Sequence, residues 1–73
     1  MLVSYKNFNI LIRVDDVVPP LSVGLAYCGK LGQLYNVKTE IYEQPQLHIH
    51  HAKTRDEAVK LALDEVMVWI DNL

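Results

Sequence analysis

Two histidines, His48 and His50, are the residues of this chain whose type and spacing could do chemistry. The segment around them alternates in a way that predicts a β-strand from Leu47 to His51. Residues two apart in a strand point to the same face, about 7 Å from each other, and two imidazoles at that distance can share a transition metal if a third ligand is available. Glu40 or Tyr42 on a paired strand could supply that ligand.

The same histidines also have an ordinary interpretation, as residues on a half-solvated sheet face that titrate near neutral pH. The sequence contains no zinc-ligand spacing, phosphate loop or dinucleotide fingerprint. Neither serine lies in a nucleophile elbow, and Cys28 falls on the inward stripe of a predicted helix, where a thiol usually acts as a small hydrophobe. We therefore expect no metal, no cofactor and no enzymatic activity.

The elements that must position these residues can be predicted from hydrophobic periodicity. Alternating side chains predict strands, and spacings of three and four predict helices. Leu2 to Tyr5 could add an earlier β segment. The predicted elements are a strand at Phe8–Val14, a helix at Leu21–Leu34, a strand at Tyr35–Tyr42, a strand at Leu47–His51 and a helix beginning at the N-cap Thr54.

This order, β-α-β-β-α, predicts an α+β fold: a two-layer sandwich with a three-stranded sheet and both helices on one face. The core residues predicted on the sheet are Phe8, Ile10, Ile12, Val37 and Ile49. The predicted final helix, which has a capping box of Thr54 and Glu57, contributes Val59, Leu63, Val66, Ile70 and Leu73. The histidines His48 and His50 would then face away from the helices.

Size and composition limit the possibilities further. Seventy-three residues make a single domain spanning 1–73, and a hydrophobic fraction of 51% exceeds what a minimal core needs, which favours a homodimer or another partner. No apolar run approaches the ~20 residues of a membrane span. One cysteine excludes an internal disulfide and fits a reducing compartment, so we expect a cytoplasmic protein.

The segment Gly29-Lys30-Leu31-Gly32 is a GxxG motif, and it resembles the loop of KH RNA-binding domains. The resemblance implies a degenerate single-stranded nucleic-acid binder, in which Arg13 and Lys38 would join Lys30 at the backbone phosphates. The chain has no second helix after Gly32, unlike that family. The alternative role for the two glycines is close packing of a helix.

The final helix has a feature that packing does not explain. Leu61 and Val68 point away from the predicted core, and Glu57, Asp64 and Asp71 lie around them at intervals of seven. Two apolar residues set in an acidic ridge are typical of a helix–helix contact or of a contact with a basic partner. A solvated face is the simpler alternative. The sequence therefore predicts a non-catalytic interaction or regulatory module that binds a partner protein or itself through this ridge or the open sheet face.

Overall fold

The computed structural model describes residues 1–20 and 24–73 and contains, in those ranges, one helix and a five-stranded antiparallel sheet. The elements are β1 (Leu2–Tyr5), β2 (Phe8–Asp16), β3 (Tyr27–Asn36), β4 (Ile41–Glu43), β5 (His50–Ala52) and α1 (Arg55–Asp71). The α+β class is confirmed. The predicted β-α-β-β-α order, with three strands and two helices, is wrong.

The N-terminal half of the sheet forms as its alternation predicts. β2 includes the predicted Phe8–Val14 strand and continues to Asp16. Its core-facing side chains at Phe8, Ile10 and Ile12 are buried. The earlier β segment also exists, and β1 pairs with β2 through a tight hairpin.

The predicted helix at Leu21–Leu34 is the main error. Residues 21–23 lie outside the described residues, and from Tyr27 onward the chain is β3, the central strand of the sheet. Glycines at positions 29 and 32 lower helix propensity by roughly 1 kcal/mol each. Packing in the sheet therefore overrides a weak helical pattern.

A β-bulge interrupts the alternation of β3. The pairing of β2 with β3 shifts register between Leu11 and Ile12, which leaves Gly32 as the extra residue on β3. The bulge breaks the strict alternation of faces, so that the core-facing residues Leu31 and Leu34 are three apart rather than two. The predicted helical stripe passed through Cys28, Leu31 and Tyr35, but in the strand these side chains do not share one face.

The next two predicted strands are also displaced. Tyr35 and Asn36 end β3, and the chain then turns at residues 37–40. The Asn36 Oδ1 accepts hydrogen bonds from the backbone N–H groups of Lys38 and Thr39, at 3.0 and 3.2 Å. This side chain stabilises the turn, because asparagine oxygens readily accept from nearby backbone amides. Val37, predicted to lie in the core, is consequently exposed.

β4 and β5 both pair with the same edge of β3, at opposite ends of it. They are not the hairpin that was predicted. Ile49 lies between them outside any strand and is 54% exposed, so its predicted place in the core is wrong.

The helix α1 begins as predicted, since the Thr54 hydroxyl accepts from the backbone N–H of Glu57 at 3.1 Å. Its buried face differs from the predicted stripe. Val59 and Leu63 are half-buried, and Leu73 is exposed. The fully buried positions follow one another at intervals of four and are Ala58, Ala62, Val66 and Ile70. The two alanines allow α1 to lie close to the sheet.

Candidate interaction surfaces

His48 and His50 face α1, not the open side of the sheet, and both contact Glu65. The Nδ1 of His48 lies 2.6 Å from Oε2 of Glu65, and the Nε2 of His50 lies 2.8 Å from Oε1. The backbone N–H of His48 also donates to Oε1, at 3.0 Å. The predicted outward orientation of the histidines is therefore wrong, because His50 lies on the strand face that α1 covers.

The chemistry of this cluster follows from its acceptor. An ionised carboxylate only accepts hydrogen bonds, so His48 must carry a proton on Nδ1 and His50 on Nε2. Partial burial raises the pKa of the Glu65 carboxyl, but the hydrogen bonds from the two histidines outweigh it and hold that pKa below its usual range. Glu65 is the residue that sequence reasoning missed. Its position seventeen residues after His48 gave no local signal.

The cluster has the geometry of hydrogen bonding. The two imidazoles contact different oxygens of one carboxylate, and their ring centroids are 6.4 Å apart. Within the described residues, no three His, Cys, Asp or Glu side chains are arranged to hold a metal ion. Glu40 and Tyr42, the third ligands considered from the sequence, are not hydrogen-bonded to either histidine.

The GxxG segment does not form a loop. Gly29 and Gly32 both lie within β3, and a β-carbon at Gly29 would be 2.2 Å from the carbonyl oxygen of Ala58 in α1. Gly29 therefore does allow close packing, but as a strand residue beneath α1 and not, as was predicted, as part of a helix. At Gly32 a β-carbon would meet the side chain of Arg13 instead.

The structure brings only some of the predicted basic residues together. Arg13 and Lys30 are paired across β2 and β3 on the face opposite α1. Lys30 also approaches Asp15, with 3.9 Å between Nζ and Oδ2. Lys38 lies apart from them, in the turn after β3.

The sheet face opposite α1 is covered by no element of the described chain, and it carries an aromatic pair. Tyr35 and Tyr42 are opposite each other on β3 and β4, with ring centroids 4.8 Å apart. Tyr42 is 58% exposed and Leu2, on the same face, is 72% exposed. Leu11 is half-buried beside Leu2. We call this surface the open sheet face.

The acidic ridge of α1 is exposed along its length. Val68 is 60% exposed and Leu61 is 36% exposed. Glu57 is also exposed, and Asp64 pairs with Lys60 one turn earlier, at 3.0 Å. The structure therefore presents two apolar side chains between carboxylates.

Asp71, at one end of the ridge, contacts the β1–β2 hairpin. The Asp71 carboxylate forms an ion pair with Lys6 and accepts from the Tyr5 hydroxyl at 2.9 Å. The Lys6 ammonium and the Tyr5 hydroxyl hold the pKa of Asp71 below its usual range, and Asp71 raises the pKa of both partners. Asp71 thus has a structural role in addition to its predicted place on the ridge.

Comparison with known protein families, with curated proteins and with solved structures finds no match for this chain. Among the described residues, no helix has both the length and the apolar character needed to cross a membrane.

Proposed function

We propose that this protein is a small non-catalytic interaction module that binds a basic, helical partner protein through the acidic ridge of α1. The observation that carries this proposal is the exposure of Val68 and Leu61, seven residues apart, on a helix whose opposite face is buried. Ridge positions 57, 61, 64, 68 and 71 are separated by alternating intervals of four and three. This is the spacing with which one helix packs against another.

Charge supports a basic partner. Within the described residues, Glu57 is an unpaired carboxylate on the ridge, whereas Asp64 and Asp71 are paired with Lys60 and Lys6. The second half of the chain, from residue 35, carries a net charge of −3. Acidic groups around an apolar contact favour encounter with a basic surface and disfavour an acidic one. The single Cys28 fits a cytoplasmic location, which we include in the proposal.

The experiment is affinity capture from native lysate with the full chain and with a Leu61→Ser/Val68→Ser variant. We expect the variant to keep the parent melting temperature and to lose the captured partner, because exposed positions usually change stability by less than ~0.5 kcal/mol. Capture by the parent should weaken as salt rises.

A matched control replaces two exposed valines that lie outside the ridge, Val18 and Val37, with serine. This control should capture the partner as the parent does. A folded ridge variant that retains every interaction of the parent would contradict the proposal.

The open sheet face supports the homodimer expected from the composition. Its exposed apolar side chains include Leu2 and Tyr42, and exposed apolar patches are typical of protein–protein contacts. Light scattering of the parent and of a Tyr42→Lys variant tests it, and a monomeric parent would rule self-association out.

Single-stranded nucleic-acid binding is the second candidate, and the surface that could carry it is the open sheet face. The observation that favours it is the Tyr35–Tyr42 pair on the same face as Arg13 and Lys30, since single-strand binders combine aromatic stacking with cations along the backbone. Binding of a single-stranded oligonucleotide that falls steeply with salt and is lost in Tyr42→Ala would support this candidate over the first.

A further inference from the structure

One edge of the sheet is interrupted, and residues 44–49 lie beside the interruption. We call these residues the strap. β4 pairs with β3 at Leu34–Asn36 and β5 pairs with it at Tyr27–Gly29. Residues 30–33 of β3 therefore have no strand partner on that side within the described chain. The six-residue strap passes over these four residues, and a pocket of about 360 Å³ lies between them.

Contacts with two elements hold the strap in place. Leu47 packs against the core. His48 makes the polar contact of the strap with α1, because its backbone N–H and its imidazole both donate to Glu65. His50, the first residue of β5, donates to the same carboxylate. Glu65 thus joins the end of the strap and the start of β5 to the helix.

Each of these hydrogen bonds depends on the ionisation of Glu65. Hydrogen bonds to an ionised carboxylate are roughly twice as strong as neutral ones, and a protonated carboxyl group loses much of its capacity to accept. Two charged groups on neighbouring elements, Lys30 of β3 and Glu43 of β4, also line the pocket. Asp64, the neighbour of Glu65 in α1, is paired with Lys60 instead.

We propose that His48, His50 and Glu65 form a proton-operated latch that holds the strap against α1. The latch holds where Glu65 is ionised and its carboxylate accepts from both imidazoles and from the His48 backbone N–H. It weakens in acid, when Glu65 is protonated. Release of the strap further uncovers the unpaired edge of β3 at residues 30–33, of which Gly32 and Gln33 are already exposed.

Glu65 determines how the latch responds to acid. Its pKa is below the usual range, so its stabilising contribution is present above the pKa of an unfolded glutamate and is lost as the pH falls through the lower, folded value. The latch is therefore released by acid.

Hydrogen exchange of the His48 amide measures the latch directly, because this N–H donates to Glu65. We expect its protection factor, measured by NMR on the full chain, to fall as the pH is lowered through the pKa of Glu65 and to be about tenfold lower in Glu65→Gln than in the parent at neutral pH. A factor of this order corresponds to one hydrogen bond to a charged group. Asp64→Asn, which removes the adjacent carboxylate of α1, is the control and should leave this protection unchanged. A protection factor that does not vary with pH, or that is the same in Glu65→Gln, would overturn the latch.

A second measurement uses the unmodified protein and is independent of any variant's folding. The ¹⁵N shifts of the imidazoles should show His48 protonated at Nδ1 and His50 at Nε2 above neutral pH, as the contacts with Glu65 require. The opposite tautomers would overturn the proposal. Binding of one zinc ion per chain, lost in Glu65→Gln, would also overturn it and make the cluster a metal site.

Discussion

Gly29 of β3 lies directly beneath Ala58 of α1, so close that a β-carbon on the glycine would be 2.2 Å from the carbonyl oxygen of the alanine. The helix can lie at this distance only because one residue lacks a side chain and the other has a single methyl group. This contact sets the separation of the two layers. It also fixes the position of the acidic ridge and of Glu65, which the same helix carries.

Replacing Gly29 with alanine should therefore destabilise the protein by about 1–3 kcal/mol or more, because the new methyl group meets backbone, which cannot turn aside. Gly32→Ala is the matched control in the same strand. Its methyl group would meet Arg13, whose side chain can move, at 2.6 Å from Cγ, and the Leu11 carbonyl oxygen at 3.2 Å, so we expect a smaller loss than for Gly29→Ala. Urea denaturation of both variants measures the difference. Equal losses would show that α1 does not constrain Gly29.

Burial in the core predicts different costs for the truncation of Leu34 and of Leu63. Leu34 is 1% exposed in the centre of the sheet, whereas Leu63 is half-buried at the side of α1. Leu34→Ala should cost roughly 2–5 kcal/mol, as for other buried leucines. Leu63→Ala should cost less, because part of its side chain already contacts water. A larger loss at Leu63 than at Leu34, measured by chemical denaturation, would contradict the packing described for α1.

The sequence was informative where one physical signal was strong. The alternation of Phe8, Ile10 and Ile12 correctly predicted β2, and the cap at Thr54 correctly predicted the start of α1. At these places the hydrophobic pattern and the polar residues at the ends agree. The exposure of Val68 could likewise be predicted from helical geometry, because a helix in contact with a sheet on one side leaves the other side in water.

The errors share a different cause, which is that the deciding contact is distant in sequence. The bulge at Gly32 breaks the alternation that would mark β3 as a strand, and nothing near Gly32 in the sequence indicates its register with β2. The orientation of His48 and His50 depends on Glu65, which lies on the helix that follows. The exposure of Val37 depends on the turn that Asn36 stabilises, and in the sequence only the Asn36 side chain indicates that turn.

The link between α1 and the first hairpin predicts how stability varies with pH. Asp71 has a pKa below its usual range because Lys6 and Tyr5 stabilise its ionised form. Its contribution is therefore present above the pKa of an unfolded aspartate, about 3.9, and is lost as the pH falls through the lower, folded value. The pKa values of Lys6 and Tyr5 are raised, so their contribution to stability is lost on the alkaline side, above pH 10, where both begin to lose their protons.

Thermal unfolding followed by circular dichroism from pH 2 to pH 7 measures this effect. The parent should melt at a higher temperature than Asp71→Asn near pH 6, and the difference should shrink towards pH 2, because protonation of Asp71 removes in the parent what the substitution removes in the variant. Added salt should also reduce the difference, since Lys6 and Asp71 are both solvent-exposed. Asp64→Asn controls for the loss of a carboxylate from the same helix. If the Asp71→Asn difference is as large at pH 2 as at pH 6, the ion pair with Lys6 does not stabilise the fold, and the attachment of α1 to the hairpin must be attributed to the packing of Tyr5 alone.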